Sequence, residues 1–165
     1  MLLLFRRRLT VLGIVAPGLF RFIEREPVAT CYKKLDTFHS TCWLKTVCNA
    51  WTTSYRMHEE VFLSCVFGCV SHKDKLEHYL ECSVLWSLID EVFLTSIGSS
   101  MLARCNISNP CESFAIMLTT AFNMYHTIKG GHRDLITASA SSGRYGPVCK
   151  VGLDVARLYR ARYNM

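Results

Sequence analysis

The chain has no internal repeat, no low-complexity tract and no apolar run long enough to cross a bilayer. A spanning helix needs about 20 apolar residues. The candidate Leu9–Phe20 is shorter and is interrupted by Pro17. Strict alternation of apolar and polar residues, the mark of a half-buried strand, is almost absent; only "EVFLSCVF", residues 60–67, reads as a short hairpin. No aspartate pair of the Y-x-D-D type occurs, and no clustered carboxylates of the kind two-metal chemistry needs. Asp90–Glu91 and Glu59–Glu60 are adjacent pairs, which on a helix point in different directions and read as solvated faces. No nucleophile, base and orienting group can be assembled, so an enzyme is not expected, nor is a small-molecule substrate.

Half of the 165 residues are hydrophobic and the mean hydropathy is +0.19, enough apolar material for a core. The net charge of +6 is unevenly placed: +5 over residues 1–34, −3 over 35–143 and +4 over 144–165. Basic ends flanking a weakly acidic centre suit a polyanion such as RNA or DNA, or are solvated termini. The opening "MLLLFRRRLTVLGIVAPGLF" shares a charged and an apolar region with signal peptides, but "LLLF" precedes the arginines and no clean A-x-A site follows.

The periodicity is helical. Residues 36–57 place Phe38, Cys42, Leu44 or Lys45, Cys48 and Trp51 at near-helical spacing, with a break at Thr52–Ser54. Residues 57–63 read as a short helix or an extended lead-in. A continuous helix is expected over 75–93, with Leu76, Tyr79, Leu80, Val84, Trp86 or Ser87, Leu88 and Val92 on its apolar face. Asn109 and Pro110 open a helix to Lys129, ended by Gly130–Gly131 through a left-handed turn. A further helix over 133–141, a loop over 141–147 and a basic helix over 151–163 follow. The expected fold is mainly α, a small helical domain with one zinc-stabilised finger made of a turn or hairpin and a helix. Its divisions are a basic, partly apolar segment (1–34), a helical zinc-binding domain (35–93) and a helical tail (94–165).

Nine cysteines is an odd count for a secreted disulfide scaffold. Cys31, Cys42, Cys48, Cys105, Cys111 and Cys149 sit mostly among apolar neighbours and read as buried thiols. The stretch "CVFGCVSHKDKLEHYLEC", residues 65–82, is different. Cys65, Cys69, His78 and Cys82 form C-x3-C-x8-H-x3-C. Zinc takes four such ligands in a tetrahedron. Gly68 allows a tight turn that aims the first two thiolates at one point. His78 and Cys82 lie one helical turn apart on one face. Three thiolates and an imidazole around Zn2+ leave a net charge of −1, which Lys73 and Lys75 can offset. All four positions are filled, so the site reads as structural. His72 is the rival ligand to His78; His39, His58, His126 and His132 have no ligand pattern around them. The gap "VSHKDKLE" reads as a surface loop. Such ligands favour a reducing compartment, so nucleus or cytoplasm.

The order Trp43, Trp51, Thr53, Arg56, Cys65, Cys69, "HYLEC" (78–82) and Trp86 resembles the zinc-binding region that follows the polymerase in reverse transcriptases of non-LTR retrotransposons. The resemblance covers Trp43–Trp86. It departs in having C-x3-C where many relatives have C-x2-C, and Asp74 where a glutamate is usual. It implies the non-catalytic tail of a mobile-element protein, without its RNA-directed DNA polymerase, binding element RNA or target DNA. Lys73, Lys75, Arg6–Arg8, Arg157, Arg160 and Arg162 are the candidate phosphate contacts. Trp43, Trp51 and Trp86 are candidate stacking platforms or, at helical spacing, core. The alternative is a structural or protein-interaction remnant without nucleic-acid affinity.

Overall fold

The computed structural model describes residues 30–31, 33–61, 63–69, 72–95, 101–106 and 110–165. The expectations for the first 29 residues, Arg6–Arg8 among them, lie outside these, as does the Asn109 cap. The described chain is mainly helical, as expected: α1 (Thr37–Val47), α2 (Leu76–Glu81), α3 (Ser83–Phe93), α4 (Met101–Arg104), α5 (Glu112–Gly131), α6 (Arg133–Ser142) and α7 (Gly146–Arg162). Among the described residues strand pairing is limited to one antiparallel bridge, Ser64 with Lys73, where the hairpin was expected. Two interleaved compact units result: residues 1–51 with 97–119, and residues 52–96 with 120–165.

In the first unit, Asp36 caps α1 by accepting the His39 N–H at 3.1 Å. The buried face of α1 is His39, Cys42, Trp43, Thr46 and Val47, an i, i+3, i+4, i+7, i+8 stripe. It lies one position away from the expected face; Phe38 and Leu44 are exposed. The helix stops at Val47, ahead of the break expected at Thr52–Ser54, and Asn49 turns left-handed at φ 51°. Trp43 donates its indole N–H to the Cys105 carbonyl, and Trp51 to the Thr46 hydroxyl. Asn106 clasps Cys111: its amide oxygen accepts the Cys111 N–H at 2.9 Å and its amide nitrogen donates to the Cys111 carbonyl at 3.0 Å.

The second unit carries the Cys65–Cys82 stretch. Residues 75–93 are not one helix. Cys82, at φ −60° and ψ 108°, ends α2 and caps α3, accepting the Leu85 N–H on its sulfur at 3.4 Å. The break shifts the apolar phase, so α3 buries Leu85, Trp86, Ile89, Val92 and Phe93 rather than Val84 and Leu88. The expected face does hold ahead of the break, where Leu76, Tyr79 and Leu80 are buried. Trp86 donates its indole N–H back to the Tyr79 carbonyl at 3.0 Å. The described residues of the expected lead-in, 57–61 and 63, are in turns, bends and irregular backbone, neither helix nor strand.

Two helix boundaries also differ from expectation. Gly130 and Gly131 belong to α5, and neither takes the left-handed conformation; the helix ends at His132, with φ −133°. Pro147 is inside the first turn of α7 rather than in a loop, because an early helical position needs no N–H from it.

α7 packs on α3 and α6. Gly152 is the close-approach position: a Cβ there would come within 3.1 to 3.6 Å of Met124, Phe67 and Leu88. Tyr145, just before α7, lies against Gly68. Gly68 has φ +88°, which a side chain rarely adopts, and a Cβ there would collide with the Tyr145 ring. Gly68→Ala is therefore expected to lower stability by about 1–3 kcal/mol in denaturant unfolding. Adding Tyr145→Ala should recover the part due to collision, making the double variant less than additive.

Candidate metal centre

The chain from Cys65 to Gly68 folds as a tight turn in which the Gly68 N–H donates to the Cys65 carbonyl at 3.0 Å. The Cys65 N–H donates to His72 O at 2.9 Å, and the Asp74 N–H to Leu63 O at 2.9 Å, pairing the two arms of the finger. The left-handed Gly68 then directs Cys69 back toward Cys65. From the other side, α2 presents His78, and Cys82, four residues on, caps its C-terminal end.

Cys65, Cys69, His78 and Cys82 are brought together, with one ligand atom of each lying within 4.8 Å of all the others. These four could hold a metal ion. The Cys69 and Cys82 sulfurs are 3.5 Å apart, and those of Cys65 and Cys82 3.9 Å. Tetrahedral zinc with Zn–S bonds of about 2.3 Å sets its sulfurs about 3.8 Å apart, so the donor set fits that ion. His78 Nε2 is buried without a hydrogen-bond partner. The His72 ring stacks on His78, centroids 4.3 Å apart and planes 10° apart, and is exposed.

The thiols do not ionise equally. A hydrogen bond from the Cys82 thiol lowers the Cys65 pKa to about 4, against the opposing effect of burial. The same bond and burial push Cys82 up, and burial beside the Cys65 charge raises Cys69. A bound cation would favour loss of the thiol protons. All nine cysteines are free. Cys105 is fully buried, which pushes its thiol up to about 12. Cys149 is raised by burial and by the charges of Cys65 and Cys69.

Beneath the finger is a polar hub that the sequence reading missed. "VSHKDKLE" is not wholly a surface loop: His72 and Lys73 are exposed, but Asp74 has no exposed surface. Its carboxylate accepts the Ser54 N–H at 2.6 Å, the Tyr79 hydroxyl at 2.7 Å, the Tyr125 hydroxyl at 3.0 Å and the Lys129 ammonium at 3.1 Å. Tyr79 also takes the Val66 N–H on its hydroxyl oxygen, which ties the cysteine turn to the hub. Lys129 bonds the Thr52 carbonyl and Glu59 as well, and Glu59 pairs with Arg133. Glu59 is thus an ion-pair partner rather than a solvated side chain. Burial and the Asp74 charge raise the pKa of both tyrosines. Nothing local separates Asp74 from its polar neighbours; the signal is its usual position as an acid four before the histidine in the resembled family.

The candidate phosphate contacts are scattered. Lys73 is exposed, while Lys75 lies over the Tyr55 ring at 3.7 Å. Arg157 is exposed and pairs with Asp154 at 3.4 Å; Arg162 is exposed beside the Tyr163 ring. Arg160 is engaged internally, donating to Val92 O at 2.6 Å and Met165 O at 2.7 Å. Trp43, Trp51 and Trp86 are all buried, so they are core and not stacking platforms. Comparison with protein-family models, curated proteins and solved structures finds no match to the chain.

Removing the hub carboxylate leaves a nearly buried ammonium and two phenols without their shared acceptor. Asp74→Ala is expected to cost about 3 kcal/mol or more, read by urea unfolding of the metal-free chain. Glu60→Ala, at an exposed neighbouring position, should change stability by less than about 0.5 kcal/mol.

Proposed function

We propose that the chain is a non-catalytic zinc-binding domain of the kind that follows the polymerase in non-LTR reverse transcriptases, and that it contacts RNA or DNA. The convergence of Cys65, Cys69, His78 and Cys82 with tetrahedral sulfur spacing carries the zinc part. Four protein donors leave no position for a reacting water, which supports a structural ion and not a catalytic one. The ion would hold the turn at Cys65–Cys69 against the α2–α3 break at Cys82. The residue order from Trp43 to Trp86 supports the family, and the exposed cations Lys73, Arg157 and Arg162 with the +4 segment 144–165 support the polyanion.

The purified chain is expected to carry one zinc ion, lost in Cys82→Ser and retained in His72→Ala, by elemental analysis. Structural zinc contributes on the order of 10 kcal/mol of apparent binding energy that appears as folding energy, so Cys82→Ser should also loosen the finger. Full zinc content in Cys82→Ser would overturn the ligand set.

Binding to single-stranded RNA or duplex DNA is expected to be weak and sequence-tolerant. Its affinity should fall by about 0.7 to 0.9 log units per phosphate contact for each tenfold rise in salt. Replacing Arg157 and Arg162 together by Gln should weaken binding uniformly and flatten that slope; Arg160 is left intact because it closes the end of α7. No binding at low salt by the zinc-loaded chain would leave a structural or protein-interaction domain in place of the nucleic-acid reading.

A further inference from the structure

The four donors are unevenly covered. Cys65 and Cys82 are each 1% exposed. Cys69 is only half-buried and lines an open cleft of about 650 Å3, with Glu77 and Glu81 of α2 among its other walls. A solute approaching the cluster through this cleft meets one sulfur, that of Cys69. Behind it, 3.5 Å away, is the buried sulfur of Cys82. Closing that gap by about 1.5 Å gives a disulfide bond length.

Resting on the zinc reading of this cluster, we propose that Cys69 is the site at which hydrogen peroxide oxidises the centre, and that a Cys69–Cys82 disulfide expels the metal. The Cys69 thiolate attacks one peroxide oxygen, breaking the O–O bond, forming a sulfenic acid and releasing hydroxide. The Cys82 thiolate then attacks the Cys69 sulfur, and a second hydroxide leaves. Two electrons pass from the sulfurs to the peroxide, and the hydroxides take up solvent protons to give water. Losing two of its four ligands, the ion departs, while the new bond still ties the turn to the start of α3. The rival partner is Cys149. Tyr145 lies on Gly68 and Gly152 on Phe67, so the α7 face between them, where Cys149 sits, is turned toward the same cysteine turn. Cys149 is not among the four donors that converge within 4.8 Å, whereas Cys82 is.

The test uses the full chain loaded with zinc. Hydrogen peroxide is added, zinc release is followed with a chromogenic chelator, and the disulfides are mapped by peptide mass spectrometry. One zinc ion is expected to be lost for each Cys69–Cys82 disulfide formed, with uptake restored by a reducing agent and added zinc. Cys149→Ser should release zinc with the same stoichiometry. Zinc released without that disulfide, a Cys69–Cys149 bond in its place, or zinc retained while Cys48 or Cys111 oxidises would each overturn the proposal. A chain that binds no zinc at the outset would remove the zinc reading instead. In that chain, peroxide forming the Cys69–Cys82 bond ahead of other pairs would still support Cys69 as the entry site, and its failure to form would overturn it.

Discussion

A carboxylate with no access to water must be matched where it sits, and the finger is built around meeting that demand at Asp74. Four donors surround it: a backbone N–H from Ser54, the phenols of Tyr79 and Tyr125, and the ammonium of Lys129. They come from a loop, α2 and α5, so each of these segments has its position set by one charge. Low local polarity strengthens every bond in the network and makes an incomplete network costly. Tyr79 extends it to the Val66 N–H, inside the turn between the first two cysteines. The turn is thereby held by protein groups, apart from any ion that the four residues could bind.

The cluster and the hub place opposite demands on the same short stretch. Two of the three sulfurs lie within 4 Å of the third, that of Cys82, and would repel once ionised; without a cation the Cys65 thiol is lowered while Cys69 and Cys82 are raised. Meeting the other ligands also requires Cys82 to leave the helical path. Its sulfur compensates the start of α3 by accepting the Leu85 N–H, so one residue serves as helix stop, helix cap and candidate metal donor.

The surface cations are less organised than these interior groups. Lys75 rests on an aromatic ring, Lys129 is paired inside, and Arg160 closes the end of α7. Charge counted along a sequence overstates what a polyanion can meet, because guanidinium and ammonium groups also satisfy buried carboxylates and carbonyls. Lys73, Arg157 and Arg162 are exposed.

The helical class, the clustering of Cys65, Cys69, His78 and Cys82, and the glycine in the cysteine turn were legible from the sequence, since each depends on local spacing: a 3.6-residue period, an i, i+4 pair and one residue without a Cβ. The face of α1, the end of that helix, the break at Cys82 and the roles of Gly130, Gly131 and Pro147 were not. Each is settled by partners distant in sequence or by the fit of one element against another. Asp74 shows the difference most clearly. In the sequence it is one polar residue in a polar gap; only the folded chain brings Tyr125 and Lys129, more than fifty residues away, to the same carboxylate and makes it interior. Spacing along a chain determines which side chains can share a face, but burial is a property of what packs against that face, and only the tertiary structure decided it.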